Sequence, residues 1–129
     1  MVAFRPAAVL LSAAATVAAG CGTSSPPEGC LTVPADTVAR IADGSPTTPL
    51  DTDRAAARQT PEGFVVAVEF HTPGEDDPAV GVWWVPELNS PAMVTAVDAL
   101  ARSFTHWPHG PFEPGSREAT SVANCIGHV

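Results

Sequence analysis

Residues 64–85 read FVVAVEFHTPGEDDPAVGVWWV. The first eight residues alternate in the manner of a β-strand, whose successive side chains point to opposite faces. One face carries Phe64, Val66, Val68 and Phe70, and the other carries Val65, Ala67, Glu69 and His71. Residues 73–78 (PGEDDP) are typical of a turn, and Ala79–Val85 predicts the partner strand. This second strand is apolar on both faces, so we expect it to be central or covered on both sides.

Two further elements are predicted before this hairpin. Pro34 favours the first position of a short helix, which Val38 and Ile41 would pack and Gly44 would end. Small residues alternate between Leu50 and Thr60 and indicate another strand.

The segment after the hairpin has two interpretations up to residue 97. Ser90-Pro91 can begin a helix that runs to Phe104, or residues 92–97 can form a short strand with Asp98 capping a shorter helix. Both interpretations place a helix over 98–104, and Trp107-Pro108 ends it. Ser116 can cap a last helix that carries Cys125. The pattern predicts an α+β domain with an antiparallel sheet of three or four strands and a helix packed on one face.

The N-terminus has the features of an export signal. Arg5 is followed by Ala7–Ala19, a run of 13 small or apolar uncharged residues. This length is typical of a secretory signal and is too short to span a bilayer. We therefore expect residues 1–20 to be a signal peptide.

The end of this run, Ala18-Ala19-Gly20-Cys21, resembles the lipobox of bacterial lipoproteins. In that family the cysteine thiol receives a diacylglyceryl group and becomes the mature N-terminus, which implies lipidation of Cys21. Ala18 departs from the family pattern, where Leu is usual at this position. Ordinary signal peptidase cleavage after Ala19 is the competing interpretation.

The number of cysteines favours lipidation and predicts a disulfide. The chain has three cysteines, at 21, 30 and 125, and an unpaired thiol is a liability in an oxidising compartment. If Cys21 is acylated, Cys30 and Cys125 remain as a pair. Two acyl chains anchor a protein stably, whereas one binds membranes only marginally.

Removing residues 1–20 from the 129 leaves 109, enough for one domain. Residues 21–29 would then be the lipidated cysteine and a flexible tether, and residues 30–129 the folded domain. The loss of Arg5 changes the formal net charge from −8 to −9, and the chain has no lysine. An acidic domain without lysine lacks the cations that neutralise phosphates, so we expect no nucleic-acid partner.

Three short motifs resemble a group of small secreted actinobacterial lipoproteins. They are Val80-Gly81-Val82-Trp83, Val97-Asp98-Ala99-Leu100-Ala101 and Ser103-Phe104-Thr105-His106-Trp107. The resemblance covers about residues 64–107, and its motifs are apolar packing positions. It implies a fold and a compartment and carries no chemistry.

Candidate catalytic and metal-binding groups are few. His106 and His109 have an H-x-x-H spacing, but Pro108 lies between them and prevents a preset helical geometry. His71 and His128 lie elsewhere in the chain. The acidic residues Glu75, Asp76 and Asp77, and the pair Asp51 and Asp53, lack the spacing of a calcium loop. We expect no catalytic residues, no metal and no cofactor.

The three tryptophans are the candidate ligand surface. Trp83 and Trp84 are adjacent in a strand and must point to opposite faces, so one belongs to the core and the other to a covered or exposed surface. Trp107 is the third. The sequence favours a lipoprotein on the extracytoplasmic face of the cell membrane, with a non-catalytic domain that binds a protein or small molecule. A small hydrolase or metal-dependent enzyme using His106 and His109, or a structural envelope component, are the alternatives.

Overall fold

The computed structural model describes residues 29–109 and 115–128. The predicted signal peptide and most of the predicted tether, including Cys21, lie outside the described residues. The helices are α1 (Ala35–Ala42), α2 (Ala99–Phe104) and α3 (Arg117–Cys125), and a single 3₁₀ turn, Ile126–His128, follows α3. The strands are β1 (Asp51–Thr60), β2 (Gly63–His71), β3 (Ala79–Val85) and β4 (Thr95–Ala96).

The strands form one antiparallel sheet in the order β1-β2-β3-β4. The α+β class, the four-stranded sheet and the predicted hairpin are confirmed. β3 lies between β2 and β4, as its apolar character on both faces predicted. Leu31 adds a short bridge to the outer edge of β1 through two hydrogen bonds with Ala57, at 2.7 and 3.0 Å.

Helices cover both faces of the sheet, one more face than the sequence predicted. The alternation in β2 and β3 explains this, because both sets of side chains are apolar. The α1 and α2 face buries Val66, Val68, Phe70, Trp83 and Val85, and the α3 face buries Ala56, Val65, Ala67 and Val82. The sheet is therefore the middle layer of three.

The ambiguous segment after the hairpin forms a strand. Thr95 and Ala96 pair with β3, and α2 begins only after Asp98. The Asp98 side chain accepts hydrogen bonds from the backbone nitrogens of Ala101, at 2.9 Å, and of Val82, at 3.1 Å. One carboxylate oxygen thus caps α2 and holds it against β3.

The predicted Ser116 cap is confirmed, since its hydroxyl accepts a hydrogen bond from the backbone nitrogen of Ala119 at 3.3 Å. Pro34, predicted at the first helical position, instead directly precedes α1, because its ψ of 144° lies outside the helical range. Within residues 29–109 and 115–128, none of the helices combines the length and the apolar character needed to cross a membrane.

Candidate binding site

A groove of about 400 Å³ opens at the end of the sheet where β1 begins and β2 ends. Its walls are residues 45–51, residues 71–73 and the C-terminal end of α2. Leu50 and Phe104 supply its apolar floor, since both are partly buried against the core of the α1 and α2 face. The volume falls in the range of small-molecule sites, about 300–1,000 Å³.

The wall formed by residues 45–50 is held by the end of α1. The carbonyl oxygen of Ala42 accepts hydrogen bonds from the backbone nitrogens of Ser45, at 3.2 Å, and of Leu50, at 3.1 Å. Pro46 and Pro49 fix two backbone φ angles within the loop. Both loop ends are therefore attached to one helix terminus, and the wall is formed before any ligand arrives.

The floor is fixed by aromatic packing. Phe104 contacts Phe70 edge to face, with ring centroids 5.3 Å apart, and Phe70 is completely buried in β2. Aromatic pairs of this geometry are stabilising beyond the apolar area they bury. The Asp98 cap sets the start of α2, and therefore the place at which Phe104 ends it.

The rim carries residues with hydroxyl groups. The hydroxyls belong to Ser45, Thr47, Thr48, Thr72 and Ser103. His71 and Asp51 also line the groove, and as cross-strand partners they send their side chains to the same face of the sheet, opposite to that of Phe70. The rim offers donors and acceptors for hydrogen bonds, whereas the floor offers apolar contact.

A β-bulge in β1 groups charged side chains on the face of the sheet opposite to Phe70. Asp53 and Arg54 together face Glu69, because the register shifts between Thr52 and Ala55. The Arg54 guanidinium donates two hydrogen bonds to the Glu69 carboxylate, at 3.0 and 2.9 Å. Asp53 lies 3.7 Å from the imidazole of His71. Bulges of this kind redirect side chains at sheet edges.

The ion pair shifts the pKa of both partners. The hydrogen bonds from Arg54, and then its positive charge, lower the pKa of Glu69, although burial of this carboxyl opposes the change. The same hydrogen bonds raise the pKa of Arg54. Glu69 therefore stays ionised, and the positive charge of Arg54 is directed at it.

The three tryptophans do not form one surface. Trp83 is completely buried, and its indole nitrogen donates to the Thr105 hydroxyl at 3.0 Å. Trp84 packs on the opposite face of the sheet, beside α3. The Trp107 indole nitrogen donates to the carbonyl oxygen of Ile41 at 3.0 Å. The separation of Trp83 from Trp84 follows the prediction, but Trp83 is a core residue with no accessible surface for a ligand.

The two histidines of the H-x-x-H spacing lie on an extended segment. The backbone nitrogen of His106 donates a hydrogen bond to the carbonyl oxygen of Gly44 at 2.9 Å. His109 forms an isolated β-bridge with Ala96. Both side chains are exposed. In the part of the chain that the structure describes, no three His, Cys, Asp or Glu side chains are grouped so as to hold a metal ion.

The predicted disulfide is present. Cys30 and Cys125 are bonded across a sequence separation of 95, with their Cα atoms 5.9 Å apart. Both residues are buried with the core of the α3 face. The bond connects the start of the folded domain to the end of α3.

Comparison of the chain with protein-family models, curated protein sequences and solved structures finds no match. The assignment of the groove as a candidate binding site therefore depends on its geometry alone. Leu50, Phe104 and the hydroxyl groups of the 45–50 loop were not among the predicted site residues. The only sequence signal for them is the composition of residues 45–50, SPTTPL, which indicates a stiff loop with hydroxyl groups.

Proposed function

We propose that the chain is a cell-envelope lipoprotein, anchored through Cys21 to the extracytoplasmic face of the cell membrane. In this proposal, its domain is a non-catalytic module that binds a small molecule or protein partner, and the groove between α1, β2 and α2 is the binding surface.

The Cys30–Cys125 bond is the observation that best supports acylation of Cys21. It uses two of the three cysteines and leaves Cys21, the residue at the end of the lipobox-like segment, without a cysteine partner in the same chain. Disulfides persist in oxidising compartments, where acylation would protect a remaining thiol from oxidation. The disulfide pairing and the lipobox resemblance thus both favour Cys21 as the acylated residue.

The position of the groove suits a protein held near a membrane. The chain enters the domain at Cys30, beside the bridge between Leu31 and Ala57. From Ala57 back to Asp51, β1 covers about 20 Å at roughly 3.3 Å per residue. The groove lies at the Asp51 end, away from the proposed anchor, where a ligand can reach it.

Binding is favoured over the alternatives by the geometry of the polar groups. The hydrolase or metal-enzyme alternative relies on His106 and His109, which are exposed on the extended segment after α2. A structural envelope component would not require a preformed groove with an apolar floor and a hydroxyl rim. The groove therefore supports the binding module.

Membrane fractionation of cells expressing the full chain tests the anchor. We expect the wild-type protein in the membrane fraction and Cys21→Ala in the soluble extracytoplasmic fraction or retained with an uncut signal. The matched control is Cys30→Ser/Cys125→Ser, which removes two cysteines but keeps Cys21 and should stay with the membrane. A processed Cys21→Ala protein that remains with the membrane as the wild type does would contradict the anchor.

A further inference from the structure

We infer that the groove selects neutral ligands: it takes an uncharged molecule with an apolar ring and a hydroxyl or similar polar group in preference to an ion of the same shape. The inference specifies the ligand class of the binding module proposed above and therefore depends on that proposal. It does not require the lipid.

The floor of the groove is apolar and has the domain core behind it. Leu50 and Phe104 are partly buried against the α1 and α2 face, and Phe104 packs edge to face on the buried ring of Phe70. Three prolines add apolar surface to the walls: Pro46, Pro49 and Pro73. A ligand body of apolar carbon is stabilised when it leaves water for such a surface.

The ionisable side chains at this end of the sheet lie on its other face. Among the described residues of the lining, only Asp51 and His71 can carry a charge, and they are cross-strand partners. Because successive side chains of a strand alternate, His71 and its partner point away from the face on which Phe70 meets Phe104. The floor therefore offers an ion no charged partner.

The neighbouring charges do not supply a partner either. Glu69 accepts two hydrogen bonds from Arg54, and it precedes Phe70 in β2, so this pair leaves the sheet away from the floor. The exposed acidic residues 75–77 are not among the lining residues. An ion that entered the groove would lose water without gaining a counter-charge, whereas a neutral molecule loses less.

The rim suits one neutral polar group on the ligand. Residues with hydroxyl groups, among them Thr47, Thr72 and Ser103, line it. A hydroxyl both donates and accepts hydrogen bonds, so it matches an alcohol, an ether or a carbonyl equally well. The ligand class is therefore a neutral ring compound with its polar group at the rim.

Three probes with one ring and different charges test the ligand class. Benzyl alcohol, benzylamine and benzoate are titrated into the full mature chain in nonionic detergent, and backbone amide shifts are followed by NMR. Equilibrium dialysis gives the free concentration of each probe, so that uptake by the detergent does not enter the comparison. We expect saturable shifts in residues 45–51, 71–73 and 103–104, with benzyl alcohol bound about fivefold more tightly than either ion.

The titrations are made at about 0.15 M and 0.5 M salt. The acidic chain attracts benzylamine at long range, and the higher salt concentration screens that attraction. The preference for benzyl alcohol over benzylamine should therefore be at least as large at the higher salt concentration.

Variants attribute the binding to the floor. Leu50→Ala should lower the affinity for benzyl alcohol about fivefold. Leu31→Ala is the matched control, because this leucine is exposed beside Ala57 and lies outside the groove lining. Phe104→Leu replaces the aromatic part of the floor and serves the same purpose if Leu50→Ala does not fold. Asp51→Asn should leave the order of the three probes unchanged.

Equal or tighter binding of either ion at the higher salt concentration would overturn the inference, and so would an order of probes that Asp51→Asn reverses. A groove that saturates with an ion would reject the ligand class and keep the proposed binding module. No saturable shift with any probe up to about 10 mM would overturn both the ligand class and the groove as the binding surface.

Discussion

The indole ring of Trp107 lies against Gly44, so close that a Cβ atom added to Gly44 would overlap it. The same indole donates to the carbonyl oxygen of Ile41, and the backbone nitrogen of His106 donates to the carbonyl oxygen of Gly44 at 2.9 Å. The guanidinium of Arg40 lies 5.6 Å from the Trp107 ring centroid. Trp107 therefore joins the end of α1 to the segment after α2, and the wall of the groove begins at this junction.

We expect Gly44→Ala to lower the free energy of unfolding by about 1–3 kcal/mol, because the new methyl group must displace the indole ring and its hydrogen bond. Gly127→Ala is the control, since a Cβ atom at Gly127 meets nothing within 4 Å. Urea denaturation of the two variants measures the difference. Equal stability of Gly44→Ala and wild type would show that Trp107 does not hold this junction.

The Cys30–Cys125 bond should supply a substantial part of the stability. It closes a loop with a sequence separation of 95, for which the loss of unfolded-state entropy predicts up to about 4–5 kcal/mol. Strain and residual structure in the unfolded chain reduce that figure, so we expect Cys30→Ser/Cys125→Ser to lose about 2–4 kcal/mol in chemical denaturation. A loss below about 0.5 kcal/mol would show that the core alone holds the fold.

Removing the Asp98 side chain should destabilise the fold more than the loss of a simple helix cap. Asp98→Ala removes acceptors for the backbone nitrogens of both Ala101 and buried Val82, and we expect a loss of about 2–3 kcal/mol. Ser116→Ala removes one cap bond from α3 and should lose about 1 kcal/mol. Asp98→Asn keeps the acceptor oxygen and should be close to wild type. Equal losses for Asp98→Ala and Ser116→Ala in thermal denaturation would contradict the double role.

The Arg54–Glu69 pair predicts how stability depends on pH. The pKa of Glu69 lies below its ordinary value of 4.5 in the folded protein, mainly because of the hydrogen bonds from Arg54. The stabilisation is therefore fully present above 4.5 and is lost as the pH falls through the lower, folded-state value. We expect the free energy of unfolding to fall below that pH in the wild type and to fall less steeply in Glu69→Gln.

Glu118→Gln is the control for this pH series, because it removes a carboxylate from α3 without touching the pair. Denaturation at several values between about pH 3 and pH 7 gives the comparison. If the free energy of unfolding falls as steeply at acid pH in Glu69→Gln as in the wild type, the ion pair contributes nothing to the pH dependence.

The strands were predictable because their side chains alternate over long stretches. Ala79–Val85 was predicted with the bounds that the structure gives, and its two apolar faces indicated cover on both sides. Residues 92–97 were not predictable, because Val94 and Val97 are apolar at a spacing that suits a helix as well as a strand. Tertiary contacts favour the strand, since both residues are buried and the backbone nitrogen of Val97 donates a hydrogen bond to the carbonyl oxygen of Val82.

The groove could not be predicted from the sequence. Leu50 was assigned to a strand and Phe104 to the end of a helix, and only the fold brings these two positions, 54 residues apart, to one floor. The tryptophans gave a stronger local signal than the floor residues, yet Trp83 lies in the core, where Thr105 accepts its hydrogen bond. Aromatic content alone did not distinguish a ligand surface from packing.

We propose that Cys21 is acylated, whereas Cys30 and Cys125 form the bridge. Intact-mass analysis of the purified mature chain, alkylated under denaturing conditions before and after reduction, tests both parts. We expect a chain that begins at Cys21 and carries acyl mass, with no alkylated thiol before reduction and two after it. A chain that begins at Gly20, without acyl mass and with one alkylated thiol before reduction, would contradict it.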